Sequence, residues 1–110
     1  MILIQEYLSE ANENPFRQWF DGLDPQAAAV VTTAIGRLAD GNSSNVKPIG
    51  GGAAELRIDR GPGYRIYFGW DGKVLVILLG GGTKRRQQND IESALRWRDY
   101  KRRKPAGAKG

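Results

Sequence analysis

Cysteine and histidine are both absent from the 110 residues. Without cysteine there is no disulfide and no thiolate metal site. Without histidine, the commonest general acid/base near neutral pH and the commonest zinc ligand are gone. Long apolar runs are missing too: no stretch approaches the ~20 residues of a membrane span, so no membrane partner is expected. The opening MILIQEYLSEANENP has neither the basic start nor the long apolar core of a signal peptide, and a cytoplasmic location is the expectation. Glu55 and Asp59 sit among arginines and do not make a convincing carboxylate pair for a metal. No metal and no other cofactor are expected.

Hydrophobic residues make up 40% of the chain, which is enough for one modest core and too much for a disordered segment. The net charge of +5 is unevenly placed. Residues 1–80 carry 7 basic and 9 acidic side chains, whereas residues 81–110 carry 10 basic and 3 acidic. A C-terminal third so rich in cations suits a polyanion partner, with a solubilising tail as the alternative.

The organising stretch is residues 55–82, ELRIDRGPGYRIYFGWDGKVLVILLGGG. Leu56 and Ile58 alternate with Glu55, Arg57 and Asp59; Tyr64, Ile66 and Phe68 alternate with Arg65 and Tyr67. Both segments read as half-buried strands. Residues 73–79 are apolar at nearly every position, as in a central strand covered on both faces. Asp71-Gly72 is a two-residue hairpin signal, which would set Trp70 opposite Lys73, Phe68 opposite Leu75 and Ile66 opposite Ile77. Gly61-Pro62-Gly63 makes the other reversal. Pairing Ile58 with Ile66 brings the apolar faces together and leaves Arg57 opposite Tyr67 and Asp59 opposite Arg65 on the other face, with Val76 and Leu78 beside them. Two arginines and a tyrosine on a partly apolar floor form a candidate seat for a phosphate and a base.

Around this meander, residues 2–7 read as a further strand. Asn14-Pro15 and Asp24-Pro25 each pair an N-cap with proline at the first helical position. Phe16, Trp19, Phe20 and Leu23, then Ala27, Val30, Val31, Ala34, Ile35 and Leu38, recur at helical spacing. They predict a helix hairpin covering the sheet. Residues 41–52, GNSSNVKPIGGG, read as a polar loop, and their glycines have no phosphate-loop spacing. TKRRQQ leads to a last helix with Ile91, Ala94 and Leu95 on one side, and Trp97 and Tyr100 extending its contact surface. The expected fold is α+β: a small antiparallel sheet of the N-terminal strand plus the three-stranded meander, an N-terminal helix hairpin on one face and a short C-terminal helix. The expected domain is residues 1–100, with residues 101–110 a basic disordered tail.

The order of elements, ELRIDRGPGYRIYF, the DG hairpin and LLGGGTKRRQQNDI together resemble the RelE/ParE toxin superfamily of bacterial toxin–antitoxin modules, closest to its HigB-like "addiction module killer" branch. The resemblance covers roughly residues 1–100. It implies a RelE-like fold and the toxin of a type II module. The activity it implies is a metal-independent, ribosome-dependent mRNA endonuclease that inhibits translation. The partners it implies are the ribosome, its mRNA and a cognate antitoxin held in a hetero-oligomer. Carried over by position, Arg65 matches the arginine of the middle meander strand, Arg57 the basic position on the preceding strand, and Lys84 or Arg85 the basic residue after the last strand. Arg65, Lys84 and Arg57 are the catalytic candidates; Arg85, Arg86, Tyr67 and Arg60 are the RNA-binding candidates. Some relatives carry a catalytic histidine or tyrosine near the C-terminus, where this chain has Gln87 and Gln88 and only later Tyr100. ParE-like gyrase inhibition without nuclease chemistry, and a nucleic-acid-binding accessory role for the basic tail, are the alternative functions. A cross-strand contact of Arg65 with Asp59 is the purely structural alternative for that arginine.

Overall fold

The computed structural model describes residues 1–83 and 87–104. A five-stranded sheet runs through the middle, with helices on both faces. In chain order the elements are β1 (Leu3–Glu6), α1 (Pro15–Asp21), α2 (Pro25–Ala39), β2 (Val46–Gly50), β3 (Ala53–Ile58), β4 (Tyr64–Asp71), β5 (Leu75–Gly82) and α3 (Gln87–Arg103). The sheet order is β1-β5-β4-β3-β2. β1 is parallel to β5, and the other pairings are antiparallel. The class is α+β, compatible with a RelE-like fold, but the sheet is mixed.

Local signals set both N-terminal helices. The Asn14 side chain accepts from the Arg17 backbone N–H at 2.9 Å, and Asp24 from that of Ala27 at 2.9 Å. The following prolines occupy positions whose N–H has no helical acceptor. Phe16, Val31 and Leu38 from these helices pack on Leu56, Ile58, Ile66, Phe68, Val76 and Leu78 to form the larger core cluster.

Besides the parallel pairing of β1, four features differ from the sequence reading. The first is β2, which lies in the stretch read as a loop. Pro48 and the glycines mute its strand pattern; a proline is tolerated there because β2 is an edge strand. The second is the meander register. Leu56 pairs with Ile66, Arg57 with Arg65 and Glu55 with Tyr67, so Ile58 meets Tyr64 instead of Ile66. The slip from expectation is two residues, which preserves the faces and changes every partner.

The third is the β4–β5 hairpin. Asp71 pairs with Leu75, leaving a three-residue loop, and Trp70 faces Val76 while Phe68 faces Leu78. Gly72 supplies the positive φ, +73°. The slip is odd here, so β5 turns over. Val76 and Leu78 join the α1–α2 side, while Ile77 and Leu79 lie on the opposite face. A bulge between Tyr67 and Phe68 shifts the register once more.

The fourth is α3, which is not short and lies on the face opposite the N-terminal helices. It spans 17 residues and covers the second face through Trp97, in a cluster with Tyr7, Ala53, Tyr67, Ile77 and Leu79. Trp97 lies on Gly69, where a Cβ would come within 2.4 Å of its ring. Residues 101–103, assigned to the tail, continue the helix, while 105–110 lie outside the described residues. Two carboxylates tie this end down. Asp99 accepts from the Tyr7 hydroxyl at 2.6 Å and from Arg103 Nε at 2.9 Å; Asp71 accepts from the Tyr100 hydroxyl at 2.6 Å and pairs with Lys104.

Candidate functional site

The upper half of the α3-side sheet face gathers the chain's candidate chemistry. Arg57 on β3 and Arg65 on β4 are direct cross-strand partners, so their side chains rise from the same face one row apart. Arg57 is exposed. Arg65 is mostly covered, with 14% of its side chain accessible, and its Nε lies 3.8 Å from Oε2 of Glu55. Glu55, on the same face, is 1% exposed. That separation suits an ion pair but is too long for a hydrogen bond. The structural partner of Arg65 is therefore Glu55; Asp59 lies beyond the end of β3, in the turn.

Like charges directly opposite each other destabilise a sheet. Glu55 offsets part of the repulsion between the two arginines. What remains is a net positive site open on the Arg57 side, suited to a singly charged anion.

Tyr67 is two residues along β4 from Arg65, but it is 1% exposed. Its ring lies in the cluster under Trp97, and no free face remains to stack on a base. Burial, followed by the Asp90 and Glu55 carboxylates, raises its hydroxyl above the usual value of 10.0. Neither that hydroxyl nor Ser93 Oγ has a hydrogen-bond partner among the described residues. Both residues line a cleft of about 340 Å³ between α1 and α3, with Gln18, Trp19, Gly80 and Arg96 among its walls. Gly81 is required by packing there, since a Cβ on it would come 2.2 Å from the Trp19 ring; one on Gly80 would come 2.8 Å from Arg96 Nη1, the end of a flexible side chain. Arg96 in turn donates to the Leu79 carbonyl at 3.1 Å.

Arg60, in the exposed turn between β3 and β4, shares a cleft of about 300 Å³ with Arg57, Arg37 and Asp59, and lines another of about 320 Å³ with Ala34 and Ile58 on the α2 side; neither cleft is lined by Arg65. Lys84, Arg85 and Arg86, expected beside the arginines, lie outside the described residues. Among the described residues, no three acidic side chains converge in an arrangement that could hold a metal. No helix among them is long and apolar enough to cross a membrane. Glu55 is a residue the sequence reading weighed only as a metal ligand, not as a partner of Arg65. The signal was there: an acid in alternation with Arg57 on the basic face.

Residues 18–98 match the family described as phage-derived protein Gp49-like (DUF891). The chain belongs to the Gp49-like family. This family is related to the RelE/ParE-type addiction toxins and is associated with toxin–antitoxin toxins, which implies an antitoxin partner. A protein of Haemophilus influenzae (strain ATCC 51907 / DSM 11121 / KW20 / Rd), described as an uncharacterized protein, is 44% identical over 80 residues, covering 72% of this chain and 81% of that protein. The matched region takes in all of β2 through β5 and α3 as far as Arg98, so this Gp49-like chain carries its arginine pair inside the family segment.

Proposed function

We propose that this Gp49-like protein is the toxin of a type II toxin–antitoxin module and arrests translation by cutting mRNA on the ribosome, as expected of a HigB-like toxin. The supporting observation is the cross-strand pair of Arg57 and Arg65 on an otherwise covered sheet face. Cleavage of RNA without a metal requires the 2′-hydroxyl to lose a proton, the phosphorane charge to be stabilised and the 5′-oxygen to gain a proton. Arg65 takes the second task, because a guanidinium is permanently charged and binds phosphate oxygens in pairs. Arg57 holds the neighbouring phosphate. Lys84, Arg85 and Arg86 follow β5 in sequence and add cationic groups for the same strand of RNA.

Proton transfer is assigned to Lys84, which follows β5 in sequence, because a lysine is the kind of group that neighbouring cations can tune toward acid/base work. The buried Tyr67 hydroxyl, held protonated, is unsuited to act as a base. Weak acid/base groups suffice where the ribosome orients the mRNA, since positioning alone contributes up to ~7–11 kcal/mol. Free RNA should therefore be a poor substrate. The test is in vitro translation of a defined mRNA followed by primer extension. Toxin-dependent cuts in the ribosomal A site are expected. Intact mRNA together with gyrase-dependent DNA breaks would instead identify a ParE-like gyrase inhibitor.

A further inference from the structure

The buried carboxylate of Glu55 takes no step in the cleavage chemistry, yet it sits against the side chain that does. It is 1% exposed, and its Oε2 has no hydrogen-bond partner among the described residues. The same is true of the atom it faces, Arg65 Nε, 3.8 Å away. A buried, incompletely satisfied ion pair is a poor stabilising device; apolar residues of the same volume commonly do as well or better. Its presence on a strand whose other face is aliphatic calls for a different reason.

We propose that Glu55 is a positioning residue for Arg65: it holds the guanidinium from the Nε side, so that the paired terminal nitrogens are left for the scissile phosphate. This rests on the phosphate role of Arg65 proposed for the site. Two features of the geometry support it. Nε is the buried, unpartnered nitrogen of a side chain that still keeps 14% of its surface accessible, so the access lies away from Glu55. Arg57, directly opposite, repels Arg65, and the counter-charge beside Arg65 is Glu55, two residues from Arg57 along β3 and on the same face. Remove that carboxylate, and Arg57 drives the guanidinium out of the position in which Arg65 meets the scissile phosphate while Arg57 holds the neighbouring one. A donor fixed before the substrate arrives needs no reorganisation in the transition state, which is where such groups act most strongly.

The experiment uses the full chain and ribosomes carrying a defined mRNA. Glu55→Gln keeps the shape of the side chain and removes its charge. The single-turnover cleavage rate at saturating ribosomes is expected to fall by about tenfold or more, with half-saturation changed by less than about twofold. In an Arg65→Lys background the same substitution should add less than about threefold, because Glu55 acts through the guanidinium fork. The Nε–Hε resonance of Arg65 in the free toxin gives a readout independent of cleavage. It should be resolved and slow to exchange in the native chain, and should collapse to the solvent-exposed position in Glu55→Gln. An unchanged cleavage rate in Glu55→Gln, or an Nε–Hε signal indistinguishable from that of an exposed arginine in the native chain, overturns the proposal; the second result needs no variant to fold. Native cleavage by Arg65→Lys would sink the phosphate role itself, while the resonance would still decide whether Glu55 fixes the guanidinium.

Discussion

Arg65 pairs with the buried Glu55 and, in the proposed mechanism, also holds the scissile phosphate, so a useful substitution must separate the two. Truncation to alanine leaves Glu55 buried with its counter-charge gone, a loss of about 3–5 kcal/mol, so a dead Arg65→Ala protein would say little. Arg65→Lys keeps the charge and loses the planar fork. It is expected to stay folded and to lose about 10²–10³ in cleavage rate, read by primer extension after translation. Arg57 is exposed, and Arg57→Ala should change stability by less than about 0.5 kcal/mol while still weakening cleavage. Normal growth arrest by folded forms of both variants would remove the arginine pair from the mechanism. The titration of Asp99 gives a separate test at the same scale. The Arg103 contact, then the Tyr7 hydroxyl, lower its carboxyl from 3.8 to about 2. A depressed carboxylate stabilises the fold above its unfolded pKa and stops doing so as the pH falls through the folded one. Asp99→Asn should therefore lower stability by about 1–2 kcal/mol at pH 7, allowing for screening at a partly exposed side chain. Denaturant melts of the two proteins should converge between about pH 4 and pH 2; a gap independent of pH would place the effect in packing.

Elements whose signals are local could be read from the chain, while elements depending on distant partners could not. Both N-terminal helices follow from Asn14-Pro15 and Asp24-Pro25, because a cap and its proline act within a single turn. The alternation in β3 and β4 gave the correct faces even with a register two residues off, since pleat parity survives an even slip. It did not survive at β5, where an aliphatic run has no parity of its own and the Asp-Gly signal suggested a two-residue turn in place of a loop of three. β2 stayed hidden behind Pro48. The placement of Trp97 depends on Gly69, 28 positions earlier, which no pattern within α3 could reveal. That contact gives a paired prediction. Gly69→Ala puts a Cβ 2.4 Å from the Trp97 ring, so α3 must shift and thermal stability should fall, with the amides of α3 losing exchange protection first. Gly36 is the control: it lies within α2, and a Cβ there meets nothing within 4 Å. Gly36→Ala should raise stability by about 0.5–1 kcal/mol through helix propensity alone. Equal melting temperatures for Gly69→Ala and the native chain would mean that Trp97 is not seated on that strand.

At the scale of the whole molecule, charge and apolar surface set how partners arrive. Residues 81–110 hold 10 of the 17 basic side chains, and Arg98, Lys101 and Arg102 are exposed along α3. Trp97 and Tyr100, which the sequence reading placed on the contact surface of this helix, are committed to the core. Trp97 is 4% exposed, and Tyr100 stacks on it and donates to Asp71. The exposed apolar groups of this helix are Ile91 and Leu95, one turn apart, at 47% and 53%. A positive field draws in an acidic protein segment as readily as RNA, because steering depends on charge and not on chemical identity. Screening within ~8 Å at physiological ionic strength removes the long-range part of that attraction and leaves the contacts. Antitoxin association should therefore slow as salt rises while dissociation changes little. Reversing the charges with Arg98→Glu and Lys101→Glu should slow association and flatten its salt dependence. Leu95→Ala should act the other way, speeding dissociation and leaving the on-rate alone, since apolar contacts form after encounter. Stopped-flow association and dissociation rates across a salt series separate the two effects. If neither the charge reversals nor Leu95→Ala change either rate, the antitoxin does not meet this helix, and the α1–α2 face becomes the surface to test.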